Sequence, residues 1–223
     1  MQARAIFLDF DGLICDTERA ARRSWDETYR ELGLVFPADM WEQIAGRADG
    51  EAVALADLSR RLGGPVTDAL RERRLLRKRA LSAQEPLRPG VAALIAEATR
   101  RCLTLAVVSS SRRRWVHEHL LRLGVLDRFA VIVCGDDVTK HKPAPDLYQL
   151  ALRRAGLTAD DVIAFEDSPP GVQAARAAGL RCVAVQSAAS GAMDLSHATM
   201  ELGSLERYQL DAPLPLANRA ATR

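Results

Sequence analysis

A chain of 223 residues, 48% hydrophobic and 27% charged, has the length for one full core domain with a smaller satellite, and its composition excludes a disordered or collagen-like polymer. Its 31 Lys and Arg stand against 29 Asp and Glu, a formal charge of +2, so no global field gathers a polyanion and nucleic acid is not an expected partner. The opening MQARAIFLDFDG sets acids directly after a short apolar run, unlike a signal peptide, and no apolar run nears the ~20 residues that cross a bilayer. A cytoplasmic protein without a membrane partner is expected.

In chain order, residues 4–8 (RAIFL) form a short apolar run that stops at DFDG, which predicts a buried strand with acids at its carboxyl end. From 18 to 85 the character turns helical in ERAARRSWDETYRELG, EAVALADLSRRLGG and TDALRERRLLRKRALSAQ, with Gly33, Gly63 and Gly64 as stops. No strand signal interrupts this stretch, so it reads as a helical insert that ends at the turn-rich PLRPG, residues 86–90. Its basic cluster at 71–79 reads as the solvated face of an amphipathic helix, with Leu70, Leu75, Leu76 and Leu81 as one buried stripe.

Beyond it, apolar runs and amphipathic segments alternate: VAALIAEATRR, LTLAVVSSS, RRRWVHEHLLRLG, AVIVCG, DLYQLALRRAG, DVIAFED, GVQAARAAG and RCVAVQ. That alternation predicts a doubly wound α/β fold, a parallel Rossmann-like sheet covered on both faces. The expected division is a core of 1–17 and 86–211, a helical cap of 18–85, and a loose tail of 212–223 with two prolines and no periodicity. Cys15, Cys102, Cys134 and Cys182 are scattered without a CxxC pair and read as reduced, mostly packed thiols, Cys15 lying nearest the acidic motif.

In open parallel sheets ligands bind beyond the carboxyl ends of the strands, so the residues after each strand form the candidate site. They are Asp9 and Asp11 after the first strand, Ser109, Ser110 and Ser111 after LTLAVV, Lys142 past AVIVCG, and Glu166, Asp167 and Ser168 after DVIAF. Two Asp one residue apart face the same way in extended chain, so one can attack while the other handles a proton. Close carboxylates repel by about 4 kcal/mol per pair at an effective dielectric of roughly 20, which calls for a hard divalent cation beside Lys142. Taken singly, DxDG can be a turn, SSS and EDS helix caps, and KPAP a rigid turn; their joint placement at strand ends points to a site.

The run DFDGLICDTE, the Ser after LTLAVV, KPAPD and FEDSPPGV resemble the four motifs of the haloacid dehalogenase superfamily, over nearly the whole chain. The insert resembles the helical cap of the subgroup that includes sugar-phosphate phosphatases and β-phosphoglucomutase. The resemblance implies an Mg²⁺-dependent phosphatase of a small phosphorylated metabolite, a sugar phosphate by that likeness, working through an aspartyl phosphate. It implies Asp9 as nucleophile, Asp11 as general acid and base, and Ser109, Ser110 and Lys142 as phosphoryl-oxygen contacts. The metal ligands it implies are Asp9, Asp167, Glu166 and the Asp11 carbonyl. Asp11 argues against a dehalogenase, whose halide leaves without a proton. In the mutases a His occupies the position of Ala21, which argues for hydrolysis over phosphoryl return, although Trp25 still matches. His141 stands where the family commonly has Gly, implying an altered loop. The segment IAGRADGEAV resembles the cap loop that contacts the substrate's leaving group, and within it Arg47 is the candidate for a second phosphate or carboxylate contact through its guanidinium fork, a surface Arg of the cap being the alternative. A non-catalytic binding protein on the same fold is the third reading, and nothing in the sequence fixes an oligomeric state.

Overall fold

The computed structural model describes residues 3–45, 47, 49–186 and 193–210. Six parallel strands, β1 (Ala5–Leu8), β2 (Thr104–Val108), β3 (Val131–Val133), β4 (Val162–Glu166), β5 (Arg181–Val185) and β6 (Met200–Leu202), lie in the order β3-β2-β1-β4-β5-β6. Chain direction across the sheet therefore reverses at β1, with β1 between β2 (Leu8 opposite Val107) and β4 (Leu8 opposite Phe165). That reversal opens a crevice at the carboxyl ends of β1 and β4, where α/β sheets hold their ligands.

Alternate strand residues feed two cores, as a period of two requires. Ile6, Leu8, Leu105, Val107, Ile163 and Phe165 meet the buried faces of α5 (Val91–Arg100) and α6 (Arg113–Arg122). Phe7, Ala106, Val108, Val162 and Ala164 face α7 (Asp146–Ala155) and α8 (Pro169–Ala177). Covered on both sides, the strands need no polar face, which is why they read as continuous apolar runs.

Between β1 and α5 lie four helices, α1 (Thr17–Glu31), α2 (Ala38–Ile44), α3 (Gly50–Leu62) and α4 (Asp68–Ser82), with an apolar cluster of their own. Trp25 stacks on Phe36 with centroids 6.3 Å apart, and Tyr29, fully buried, meets Phe36 edge-on at 5.1 Å while its hydroxyl donates to Asp57. Burying such side chains contributes about 1.5–3 kcal/mol each toward the packing of the insert. Asp16 caps α1 by accepting from the Arg19 amide, Thr67 caps α4, and Gly63 ends α3 in the left-handed region.

The leucine stripe expected on α4 is corrected by the structure. Leu81 is buried, but Leu75 and Leu76 are exposed and Arg74, 3% exposed, takes the inward position. The inward row runs through 70, 74 and 81, which the helical period places on one face, and 75 and 76 turn away from it. Arg74 tolerates burial because its guanidinium lies 4.0 Å from the centroid of Trp25 and pairs with Glu51 at 2.8 Å. The short helix α2 and the three-residue strand β6 were not expected from the sequence, and the tail proposed for 212–223 lies outside the described residues.

The two crossings between core and insert run side by side. Cys15 bridges to Leu87, Arg19 pairs with Glu85, and Arg122 at the end of α6 donates to the Ser82 and Glu85 carbonyls at 3.3 and 2.8 Å. The Cys15 thiol is wholly buried at this seam, and burial pushes it up to about 12, the behaviour of a packed thiol. Among the described residues no helix is long and apolar enough to cross a membrane.

Candidate active site

Beyond Leu8 the chain stays extended for three residues, sending Asp9 and Asp11 to one side and Phe10 into the core. It then turns sharply at Gly12, whose φ of +83° suits glycine and whose missing Cβ leaves room for the Asp167 carboxylate. Asp9 and Asp11 line a cavity of about 480 Å³ between the sheet edge and the insert, together with Ser109, Ser110, Lys142 and Asp167.

Four strand ends meet at its floor. The Lys142 ammonium donates to Asp9 Oδ1 at 2.5 Å and to the Val108 carbonyl at 2.8 Å, and it pairs with Glu166 Oε1 at 2.6 Å. Its three N–H bonds are thereby matched to three acceptors. Tyr148 of α7 donates to the same Glu166 oxygen at 2.5 Å. Glu166 is fully buried at the end of β4, against the first turn of α8, where Ser168 accepts the cap bond and Gly171 leaves space for the carboxylate.

Asp9, Glu166 and Asp167 bring carboxylate oxygens within 4.8 Å of one another, all buried. Three carboxylates face one ammonium, so the group lacks two positive charges. The electrostatics record that deficit. Burial pushes the Asp9 carboxyl up to about 8 against the pull of Lys142, with Glu166 and Asp11 adding to the rise. Burial, then Asp9 and Glu166, drive Asp167 well above the usual carboxylate range. Burial alone would lower Lys142, but Asp9 and Glu166 override it and hold the amine charged. The second oxygen of Glu166 is buried without a hydrogen-bond partner among the described residues. Hard oxygen ligands, a deficit of two charges and an orphaned carboxylate oxygen fit a divalent metal ion.

Asp11 does not join this carboxylate group. Its Oδ1 accepts from Thr17 Oγ1 at 2.6 Å and from Trp115 Nε1 at 2.9 Å, and its Oδ2 from Ser111 Oγ at 2.5 Å and Ser109 Oγ at 3.4 Å. Sequence reasoning reaches Ser109 and Ser111 but not Thr17 or Trp115. The available signal was a donor-bearing aromatic in the first turn of the helix after SSS. Ser110 Oγ is buried without a partner among the described residues, and His141 lies on the cavity wall against Gly135.

Arg47 also lines the cavity, but its guanidinium forms a bidentate pair with Asp49 at 2.9 and 2.8 Å and is exposed. The cation that the sequence did not single out is Arg74, which lines the same cavity with Lys78 and Arg112 and whose Nε is buried without a partner among the described residues.

The family model for haloacid dehalogenase-like hydrolases matches residues 3–179. The protein YhcW of Bacillus subtilis is 34% identical over 91% of this chain and 94% of its own length. Fructose-1-phosphate phosphatase YqaB of Escherichia coli is 32% identical over 81% of this chain and 95% of its own. The crystal structure of a CbbY variant from Rhodobacter sphaeroides in complex with xylulose-(1,5)bisphosphate superposes with a TM-score of 0.76, at 30% identity over 92% of this chain and 96% of that one. Family match, identity and fold agree, and the chain belongs to the haloacid dehalogenase-like hydrolases, as a phosphoric monoester hydrolase of that family.

Proposed function

We propose that the chain is an Mg²⁺-dependent phosphatase of a small phosphorylated sugar, with Asp9 as the nucleophile and residues 18–85 as a cap that closes over the cavity. The observation that carries this reading is the buried Asp9 carboxylate, held 2.5 Å from Lys142 and grouped with Glu166 and Asp167 at the cavity floor. Asp9, Glu166, Asp167 and the Asp11 carbonyl would hold the Mg²⁺ ion, which supplies charge neutralisation for a phosphoryl group.

An Asp9 oxygen attacks phosphorus, the bond from phosphorus to the sugar oxygen breaks, and Asp11 gives its proton to that oxygen as it leaves. Lys142 balances negative charge on the transferring group, and Ser109 and Ser110 supply hydroxyl donors near it. Water then attacks the aspartyl phosphate, Asp11 takes up the water's proton, and the Asp9 carboxylate is released with inorganic phosphate. Ala21 offers the cavity a methyl group where a mutase presents a base, which favours water as the final acceptor.

The cavity lining also includes Arg47, Arg74, Lys78 and Arg112, which suits a substrate with further anionic or hydroxyl groups, in keeping with relatives named for fructose 1-phosphate and solved with xylulose bisphosphate. The test is acid-trapping of the enzyme during turnover of labelled fructose 1-phosphate with Mg²⁺. A phosphoenzyme that hydroxylamine discharges, absent in Asp9→Asn, is expected. Turnover surviving in Asp9→Asn refutes the reading.

A further inference from the structure

Trp115 stands in the first turn of α6 with its indole on the cavity wall. Its Nε1–H donates to Asp11 Oδ1 at 2.9 Å, beside Thr17 at 2.6 Å on the same oxygen and Ser111 at 2.5 Å on the other. These donors come from three segments and fix the plane of the Asp11 carboxyl. Hydroxyl donors rotate to suit an acceptor, whereas an indole N–H has one direction set by its ring. The ring itself is fixed on two sides. The His119 ring packs against it with centroids 4.0 Å apart, and Lys78 of α4 places its ammonium 5.3 Å from the ring centroid. Trp115 is thus the rigid member of the set, and one of its faces carries a residue of the insert.

We infer that Trp115 is a positioning residue for Asp11: its indole N–H sets the orientation from which Asp11 meets the leaving oxygen, and Lys78 on its face ties that orientation to the seat of the insert. The inference rests on the reading of Asp11 as the acid that protonates the leaving group. A residue that aligns an acid matters in proportion to how much the leaving group needs a proton. A residue that only supports the fold affects every substrate alike.

The experiment compares kcat/KM for 4-nitrophenyl phosphate, whose leaving group departs unprotonated, with that for phenyl phosphate, whose leaving group has a pKa of about 10 and needs the proton. Both are measured with Mg²⁺ in the parent, Asp11→Asn and Trp115→Phe. The 4-nitrophenyl to phenyl ratio is expected to rise about a hundredfold in Asp11→Asn, and about tenfold in Trp115→Phe, which keeps the ring and removes the N–H. A raised ratio in Asp11→Asn with no change in Trp115→Phe, or an equal loss on both substrates in Trp115→Phe, overturns the role of Trp115 and leaves that of Asp11 standing. No change of ratio in Asp11→Asn removes the acid role and the inference with it. A second readout needs no turnover. The chain has 3 Trp, so the Trp115 indole signal in a ¹⁵N spectrum is assigned by its loss in Trp115→Phe. Asp11→Asn and Lys78→Met are each expected to shift it, and a signal that ignores both overturns the proposal.

Discussion

Replacing Lys142 by Met removes the one ammonium that the described residues place among the Asp9, Glu166 and Asp167 carboxylates and keeps nearly the same side-chain volume, so the effect is electrostatic and not a cavity. The lost contacts are those to Asp9 at 2.5 Å, Glu166 at 2.6 Å and the Val108 carbonyl at 2.8 Å, made by a side chain that is 8% exposed. Leaving buried charges without their partner costs about 3–5 kcal/mol. In a protein of this length each kcal/mol moves the unfolding midpoint by about 2–4 °C, so a fall of about 6–20 °C is expected at pH 8 without metal. Asp9 can escape part of that cost by taking up a proton. At pH 5.5 Asp9 is already below its raised value of about 8, and the loss shrinks toward the ~1 kcal/mol per broken hydrogen bond. Urea unfolding of parent and Lys142→Met protein in EDTA at the two pH values measures the difference, and kcat should fall by about 10²–10³. An equal loss at both pH values, or none, would show that Lys142 does not balance these carboxylates.

Metal-free protein should lose stability as pH rises from the ordinary carboxylate value of 3.8 through about 8. Asp9 is raised in the fold, so its contribution is complete below the lower value and gone above the upper one. Thermal unfolding in EDTA across that range tests it, and MgCl₂ should raise the midpoint more at pH 8 than at pH 5. In Gly171→Ala the new Cβ would stand 1.8 Å from Glu166 Oε2, so the carboxylate must move; calorimetric titration should show weaker Mg²⁺ binding, with a stability loss of about 1–3 kcal/mol. Arg74→Met replaces a buried cation with a residue of similar length. Its partner Glu51 is 41% exposed and stays solvated, so the unfolding midpoint should fall by only about 2–4 °C, whereas KM for fructose 1-phosphate should rise several-fold with kcat nearly held.

Much of the fold was legible because each core strand is an apolar run closed by an acid, a serine or a turn. AIFL before Asp9 and VIAFE before Asp167 carry strand and site in the same few residues. What escaped the sequence depends on partners distant along the chain. Arg74 looks like a solvated arginine until Trp25 and Glu51, 49 and 23 positions away, arrive beneath it. β6 holds only Met200, Glu201 and Leu202, too short and too exposed to show a period. Asp11 was legible as an acid beside Asp9, but its separate company of Thr17, Ser111 and Trp115 emerges only when β1, the loop after β2 and the start of α6 are brought together.

Helix α6 touches both the seam of the insert and the Asp11 carboxylate. Arg122 at one end grips the paired crossings, and Trp115 at the other end touches Asp11, seven residues or about 10 Å apart along one rod. Two neighbouring tethers set both crossings at one seam, as two pins share one edge of a door. The rod fixes the distance from that seam to Asp11, so a one-residue insertion in the middle of α6 is expected to disturb the Arg122 and Trp115 contacts together, although it would add nothing to the cavity lining.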